Sequence, residues 1–554
     1  MFSRMNLSNV IVCVIWLFIL LSDIPYTLAR NTVSDDLNLE QNHSWSILVV
    51  SIGATQRSQS LQSIVQELAL RGHRIRLVYP GNTDALLNST KSNNIELVPL
   101  PKQVTKNNIW KTQDGVESFP VSKQPRITKI PQFSESPVDH ALRVLWHEKS
   151  VWKTLSYVPT RLLFPLRQWL FDILWKEIEK DKPDMIVADI GAFAAWDIAD
   201  LFDIPLFLLY CGPLLPISSE SALEDLFLPP PLSGNRRNVS VIQAGLFIFQ
   251  KWLYEIYTSP ALHKLNRLRW YRGLDSYGNI RDLFCRKHTY IFPTTFAFEI
   301  PRTLSSPFLL SGPIVSRCTE NLPLSAIQLA QHYSEQIVLV DLEGAYLSKV
   351  TTLSLVNELH SLVIGFWWIN GSYIQPDQFP DNFYSLQRKF TSCALSSALV
   401  RIVVVPCLSD VVQQVLYFGK PVLCVATGAV QRDVAARLVE THAGESIYTC
   451  KDTILDDLII QLQDMFLHLE SYEIAAMDMS RKIRASTCGF KCIYDTMEST
   501  FSGFIRREND NCSSIFSSIV GQSLYYCAVT YVILYGIGRL CCFFWWRGGC
   551  GWVG

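Results

Sequence analysis

Short β-branched runs that alternate with helical patterns, twice over, constrain this chain more than any other feature. Trp45 to Ser51 is an almost continuous apolar run, as in a strand buried on both faces of a parallel sheet. Leu61, Ile64, Val65, Leu68 and Ala69 then recur at helical spacing up to Arg71-Gly72-His73, and Ile75 to Tyr79 and Ile95 to Leu100 read as further strands. The pattern resumes with strand Met185 to Ala188, helix Ala192 to Leu201 and strand Leu206 to Tyr210. A second alternation begins at Ile337 to Val340 and runs to about Asp495. Such alternation predicts doubly wound α/β domains. At 554 residues the chain has room for two of them and for membrane segments besides.

The ends of the chain carry much of its apolar excess. Arg4 precedes an uncharged run from Val10 to Leu21, and Thr27-Leu28-Ala29 offers small residues for cleavage. Residues 1–29 therefore read as a signal peptide, with an uncleaved anchor as the alternative. Cys512 to Gly538 holds no charged residue, so residues 515–538 read as a transmembrane helix, 498–514 as its linker and 539–554 as a short cytosolic tail. Glycosylation sequons at Asn42, Asn88, Asn238, Asn370 and Asn511 all fall on one side of that span. They agree on a luminal body, held by a single pass in the endoplasmic reticulum or another secretory-pathway membrane. A net charge of −1 with 18% charged residues gives no reason to expect nucleic acid as a partner. The fifteen cysteines form no metal-binding spacing. In an oxidising lumen Cys488 and Cys492 can pair, while most of the others read as core thiols. The segment His140 to Lys180 is helical and rich in Trp, which reads as packing, as the wall of an acceptor cavity or as membrane contact.

The second half carries the chemistry. A strand from Val400 leads into Pro406-Cys407-Leu408-Ser409-Asp410, then a helical run to Tyr417-Phe418-Gly419-Lys420-Pro421, a strand Val422 to Val425, and Ala429-Val430-Gln431-Arg432-Asp433 up to Arg437. Earlier, Ile291 to Thr295, Glu299 to Arg302 and Ser311-Gly312-Pro313 close the first half. This order resembles the membrane-bound UDP-glycosyltransferases, of which the UDP-glucuronosyltransferases are the best known, over roughly residues 45 to 545. The resemblance implies the GT-B arrangement: two Rossmann-like domains facing a cleft, 30–325 on the acceptor side and 326–497 on the UDP-sugar donor side. It also implies transfer of a glucuronosyl or hexosyl group from a UDP-sugar to a lipophilic acceptor. The UDP-sugar is then a co-substrate, with no metal and no separate cofactor. Association with itself or with other family members is a further expectation.

Motif by motif, the working residues are replaced. The family's Thr-His-Gly-Gly-x-x-Ser turn, which cradles the diphosphate on backbone N–H groups at a helix N-terminus, corresponds to Val405 to Val411 here. Pro406 removes a donor, Cys407 and Leu408 add side chains, and Ser409 or Asp410 is left as the expected N-cap. Counting back from Arg71-Gly72-His73 puts Arg57 at the place of the family's base histidine. A guanidinium has no acceptor lone pair and stays protonated; losing a positioned base costs roughly 10²–10⁴-fold in rate. Asp189, ending its strand, matches the aspartate that orients that histidine, or else caps the next helix. Arg57 and Asp189 are then expected to form an ion pair. The uracil-stacking Trp-x-Pro-Gln falls on Arg388-Lys389-Phe390-Thr391, which leaves Phe390 or Arg388 to stack. The ribose-gripping glutamate becomes Gln414, and the sugar-contacting Asp-Gln becomes Val430-Gln431. The phosphate-side Ser-x-Gly-Ser turn becomes Asp341-Leu342-Glu343-Gly344. Trading a charge-assisted hydrogen bond for a neutral one forfeits part of roughly 1.5–3 kcal/mol. Two readings stand: a divergent transferase with impaired chemistry, and a non-catalytic relative that binds lipophilic molecules or partners active family members.

Overall fold

A computed structural model of the chain describes residues 44–51, 59–78, 94–98, 150, 164–214, 228–229, 233–234, 241–278, 282, 284, 288–304, 308–316, 318, 320–333, 336–342, 349–369, 379–448 and 454–501. The first half contains β1 (Ser46–Val50), α1 (Gln59–Leu70), β2 (Arg74–Val78), β3 (Ile95–Leu97), α2 (Phe164–Lys180), β4 (Met185–Asp189), α3 (Phe193–Phe202), β5 (Leu206–Leu209), α4 (Val241–Trp270), β6 (Thr289–Phe292) and β7 (Phe308–Leu310). The second half contains α5 (Leu324–His332), β8 (Ile337–Val340), α6 (Lys349–His360), β9 (Gly365–Ile369), β10 (Phe383–Leu386), α7 (Thr391–Ser396), β11 (Val400–Pro406), α8 (Ser409–Tyr417), β12 (Val422–Ala426), α9 (Arg432–Glu440), β13 (Gly444–Tyr448), α10 (Ile454–Leu467), α11 (Leu469–Ser486) and α12 (Phe490–Phe501).

These strands build two sheets, ordered β3-β2-β1-β4-β5-β6-β7 and β10-β9-β8-β11-β12-β13. Every pairing is parallel. Each sheet has the Rossmann-like winding that the alternation predicts. Strand alternation divides the core. Ile47, Val49 and Val187 face α1, whose Leu61, Ile64, Val65 and Leu68 are all buried. Leu48, Val50, Ile186 and Ala188 face α2 and α3 on the other side. In the second sheet Val403 and Val405 pack toward α8 and α11, and Val404 and Val425 toward α6 and α10.

Strand order reverses between β1 and β4 in the first sheet and between β8 and β11 in the second. At such a reversal the helices leave on opposite faces and open a crevice at the carboxyl edge. Val50 pairs with Ala188, so β1 ends beside Asp189. In the second sheet Val340 pairs with Val404, and the Asp341 N–H bonds to the Val404 carbonyl at 2.9 Å.

The chain then returns to its first half. Ile493 and Met497 of α12 are buried against the first sheet, and residues 498–501, expected to begin a linker, form the last turn of that helix. Tyr494 stacks on Trp45 and His73, with ring centroids 5.4 and 5.8 Å away, and Arg71 lies over the Tyr494 ring at 4.2 Å. His73 thus packs within this aromatic cluster. Its Nδ1 accepts the Trp45 N–H at 3.3 Å, while burial and then Arg71 hold its pKa below the ordinary value.

Cysteine pairing is broader than expected. Cys488–Cys492 is joined by Cys407–Cys424 and Cys318–Cys393, so these last four are not core thiols. Cys407, just past the end of β11, and Cys424 of the neighbouring β12 have Cα atoms 5.0 Å apart, a closeness the linear spacing did not reveal. Helix α4, with Pro260 inside it, has no counterpart in the strand-and-helix pattern read from the sequence. Among the described residues no helix is long and apolar enough to cross a membrane. The signal peptide, residues 515–538, the tail, Arg57 and all five sequon asparagines lie outside the described residues.

Candidate functional site: the carboxyl edges at the cleft

On the acceptor side Asp189 is the last residue of β4 and is buried. It does not cap α3, whose N-cap is Ala192 without any side-chain hydrogen bond. Its place at the strand-order reversal is where a ligand-facing group belongs. Its expected partner Arg57 lies outside the described residues.

On the donor side the turn after β11 ends at Leu408, which is the N-cap of α8 and makes no side-chain cap bond. Ser409 and Asp410, expected as caps, are instead its first helical residues, because the chain turns one residue earlier. There the Leu408 N–H bonds back to the Pro406 carbonyl at 2.7 Å, while the Cys407 N–H stays in the sheet, bonded to Val425 at 3.1 Å. Two backbone donors of the turn are therefore consumed internally. Asp410 is buried in the first turn. Its carboxylate supplies the negative charge that a helix N-terminus favours.

The same helix face is docked into the first domain. Ser60 of α1 donates to Asp410 Oδ2 at 3.4 Å. Gln413 is wholly buried: its Nε2 donates to Thr294 Oγ1 at 2.7 Å and to Ser409 Oγ at 3.0 Å, and its Oε1 accepts the Thr295 N–H at 3.3 Å. Gln414, at the ribose position, donates instead to the Ile314 carbonyl at 3.1 Å. At the other end of α8 the chain turns at Gly419 with φ +71°, where a Cβ would meet Met477 Sδ at 2.6 Å. Glycine is required there both for the left-handed cap and for close approach to α11.

The recognition positions are likewise engaged. Arg388 forms an ion pair with Asp341 at 3.1 Å across the mouth of the β8–β11 reversal. Phe390 packs against the second core, with Lys389 Nζ 4.7 Å over its ring. Among the described residues the space bounded by Asp341, Arg388, Val405, Val411 and Gln414 is about 20 Å³. That is room for one water. Gln431 Oε1 accepts from the Thr427 N–H, from Thr427 Oγ1 at 3.1 Å and from the Gly428 N–H at 3.3 Å, so it braces its own loop.

Two further contacts cross the cleft, and no sequence signal marked either pairing. Arg437 of α9 pairs with buried Glu299 of the first half. Asp433 accepts the Gly234 N–H at 2.8 Å. Tyr210, beyond β5, has its phenol pKa pushed well up by burial and then by Asp433. Gln413 was passed over because its neighbour Gln414 held the motif position. Among the described residues no set of three or more His, Cys, Asp or Glu side chains is placed to hold a metal.

Comparison with solved structures supports the architecture. The chain is similar to the glycosyltransferase of kitacinnamycin, with a TM-score of 0.53 and 14% identity, covering 82% of this chain and 99% of that one. It is also similar to a spinosyn rhamnosyltransferase, with a TM-score of 0.50 and 13% identity, covering 82% of this chain and all of that one. No protein-family model and no curated protein sequence matches the chain. At such identities the likeness establishes the fold: two Rossmann-like domains in the GT-B arrangement of glycosyltransferases.

Proposed function

We infer that this chain is a membrane-anchored, secretory-pathway protein of UDP-glycosyltransferase type whose donor site has been given over to holding the two domains together. The observation that carries this is the docking of α8: Gln413 and Gln414 spend their amides on Thr294, Thr295 and Ile314. Gln414 stands at the position that the resemblance gives to the ribose contact. The parent chemistry is sugar transfer to a lipophilic acceptor, and the shared fold supports that origin. Its present role is non-catalytic: binding of lipophilic small molecules or association with active relatives. Three disulfides support an oxidising compartment and therefore a luminal body.

A residual transferase is the second reading, favoured by Asp189 at the reversal edge of the first sheet. The two are separated by titrating the purified full chain with UDP, UDP-glucose and UDP-glucuronic acid while following its thermal melting. No saturable shift is expected up to millimolar nucleotide. A shift saturating at micromolar UDP, or donor-dependent conjugation of a lipophilic alcohol, overturns the closed-site reading.

A further inference from the structure

The three disulfides stand in unlike surroundings. Cys407 and Cys424 are both buried, so neither sulfur is open to a reagent in the folded chain. Cys318 is exposed, but its partner Cys393 is buried with its Sγ 3.1 Å from the Glu320 carbonyl oxygen, and their bridge ties residues 75 positions apart. Cys488–Cys492 differs on each count. Cys488 is exposed and Cys492 half-buried, and the two are only 4 positions apart. The bridge spans the joint of α11 and α12, where Gly489 turns with φ +61° and its N–H bonds to the Ser311 carbonyl at 2.7 Å.

The two sulfurs at this joint also differ electrically. Cys488 Sγ lies 3.8 Å from both the Leu310 and the Ser311 carbonyl oxygens, which disfavour negative charge on it but accept an S–H. Cys492 is the third residue of α12, in the turn whose free N–H groups favour an anion. Lys491 and Asp495, the charged residues nearest to it along the helix, are both exposed and opposite in sign. The reduced pair thus has a place for a thiol at Cys488 and for a thiolate at Cys492.

We propose that Cys488–Cys492 is a thiol–disulfide exchange site for a small soluble thiol, with Cys488 the sulfur attacked and Cys492 the one that leaves. The incoming thiolate bonds to Cys488 Sγ, the Cys488–Cys492 bond breaks, and its electron pair goes to Cys492 Sγ. A second thiolate then removes the first from Cys488, and the two depart joined as a disulfide. Of the two protons the reagents lose, one ends on Cys488 Sγ and one in solvent. Two thiols are oxidised and the bridge is reduced by two electrons. Because the cysteines are neighbours across a single turn of chain, reclosing needs no distant segment to return. Nothing in this inference depends on whether the cleft binds nucleotide.

Full-length protein in detergent, held in reduced glutathione well below its melting temperature and quenched with acid, tests this by mass spectrometry. Trypsin cuts at Lys491, between the two cysteines, so each is read on its own peptide. The Cys488–Cys492 bridge is expected to open about tenfold faster, or more, than Cys318–Cys393 and Cys407–Cys424. Glutathione should be trapped severalfold more on Cys488 than on Cys492, and oxidised glutathione added afterwards should close the bridge again. In the Cys492→Ser variant, Cys488 should take glutathione from oxidised glutathione and keep it, because no neighbouring thiolate displaces it. Equal opening rates for the three bridges overturn the proposal, as does opening seen only when tryptophan fluorescence reports unfolding. Glutathione found chiefly on Cys492 overturns the direction of attack.

Discussion

Replacing Glu299 by Gln isolates what holds the cleft shut. Glu299 lies in the first half of the chain, wholly buried, and its carboxylate meets the buried guanidinium of Arg437 on α9. Removing one charge of a buried pair leaves the other desolvated with less compensation, which costs about 3–5 kcal/mol. For a domain of this size each kcal/mol moves the melting temperature by roughly 2–4 °C, so a fall on the order of 10 °C is expected. The matching Arg437→Met change should cost as much. The double variant Glu299→Leu, Arg437→Met should recover most of the loss, because a desolvated ion pair gains little over apolar side chains of similar volume. Melting of detergent-solubilised Glu299→Leu, Arg437→Met and their double variant, followed by tryptophan fluorescence, gives the double-mutant cycle. Hydrogen exchange in α8 reports whether the domains have separated. Additive losses in the double variant would refute the pairing, and unchanged exchange in α8 after Glu299→Gln would refute its role in closing the cleft.

Other consequences are as definite. Gln413→Ala leaves the buried Thr295 N–H without its acceptor and is expected to destabilise by about 1–3 kcal/mol, read by chemical denaturation. Gln414→Glu sets a carboxylate against the Ile314 carbonyl in place of a donor; lower melting temperature with no gain in UDP affinity is expected. His73 has a folded pKa below its ordinary 6.5, so the native state binds fewer protons than the unfolded one. Its contribution is complete above pH 6.5 and is lost as pH falls toward the folded pKa, and His73→Phe should flatten that part of a melting-versus-pH curve. Reducing the Cys407–Cys424 bridge by paired Ser substitutions removes the closure of a loop with sequence separation 17 and should cost about 3 kcal/mol. The loss is to be measured against the same variants of Cys488 and Cys492.

The sequence alone settled the two parallel sheets. Strands such as Ile337–Val340 and Met185–Asp189 announce themselves, because burial on both faces demands continuous apolar runs, and α1 carries its core stripe at helical spacing. The departure from the turn that the resemblance leads one to expect was equally visible, since Pro406, Cys407 and Leu408 stand in line where it expects glycines. What the helix after that turn contacts was decided only in three dimensions. Gln413 bonds to Thr294, 119 positions away, and Arg437 meets Glu299 across 138. No local periodicity encodes such pairs. Parallel strands joined by long crossovers bring distant carboxyl edges together, and the partners there are fixed by packing two finished domains against each other.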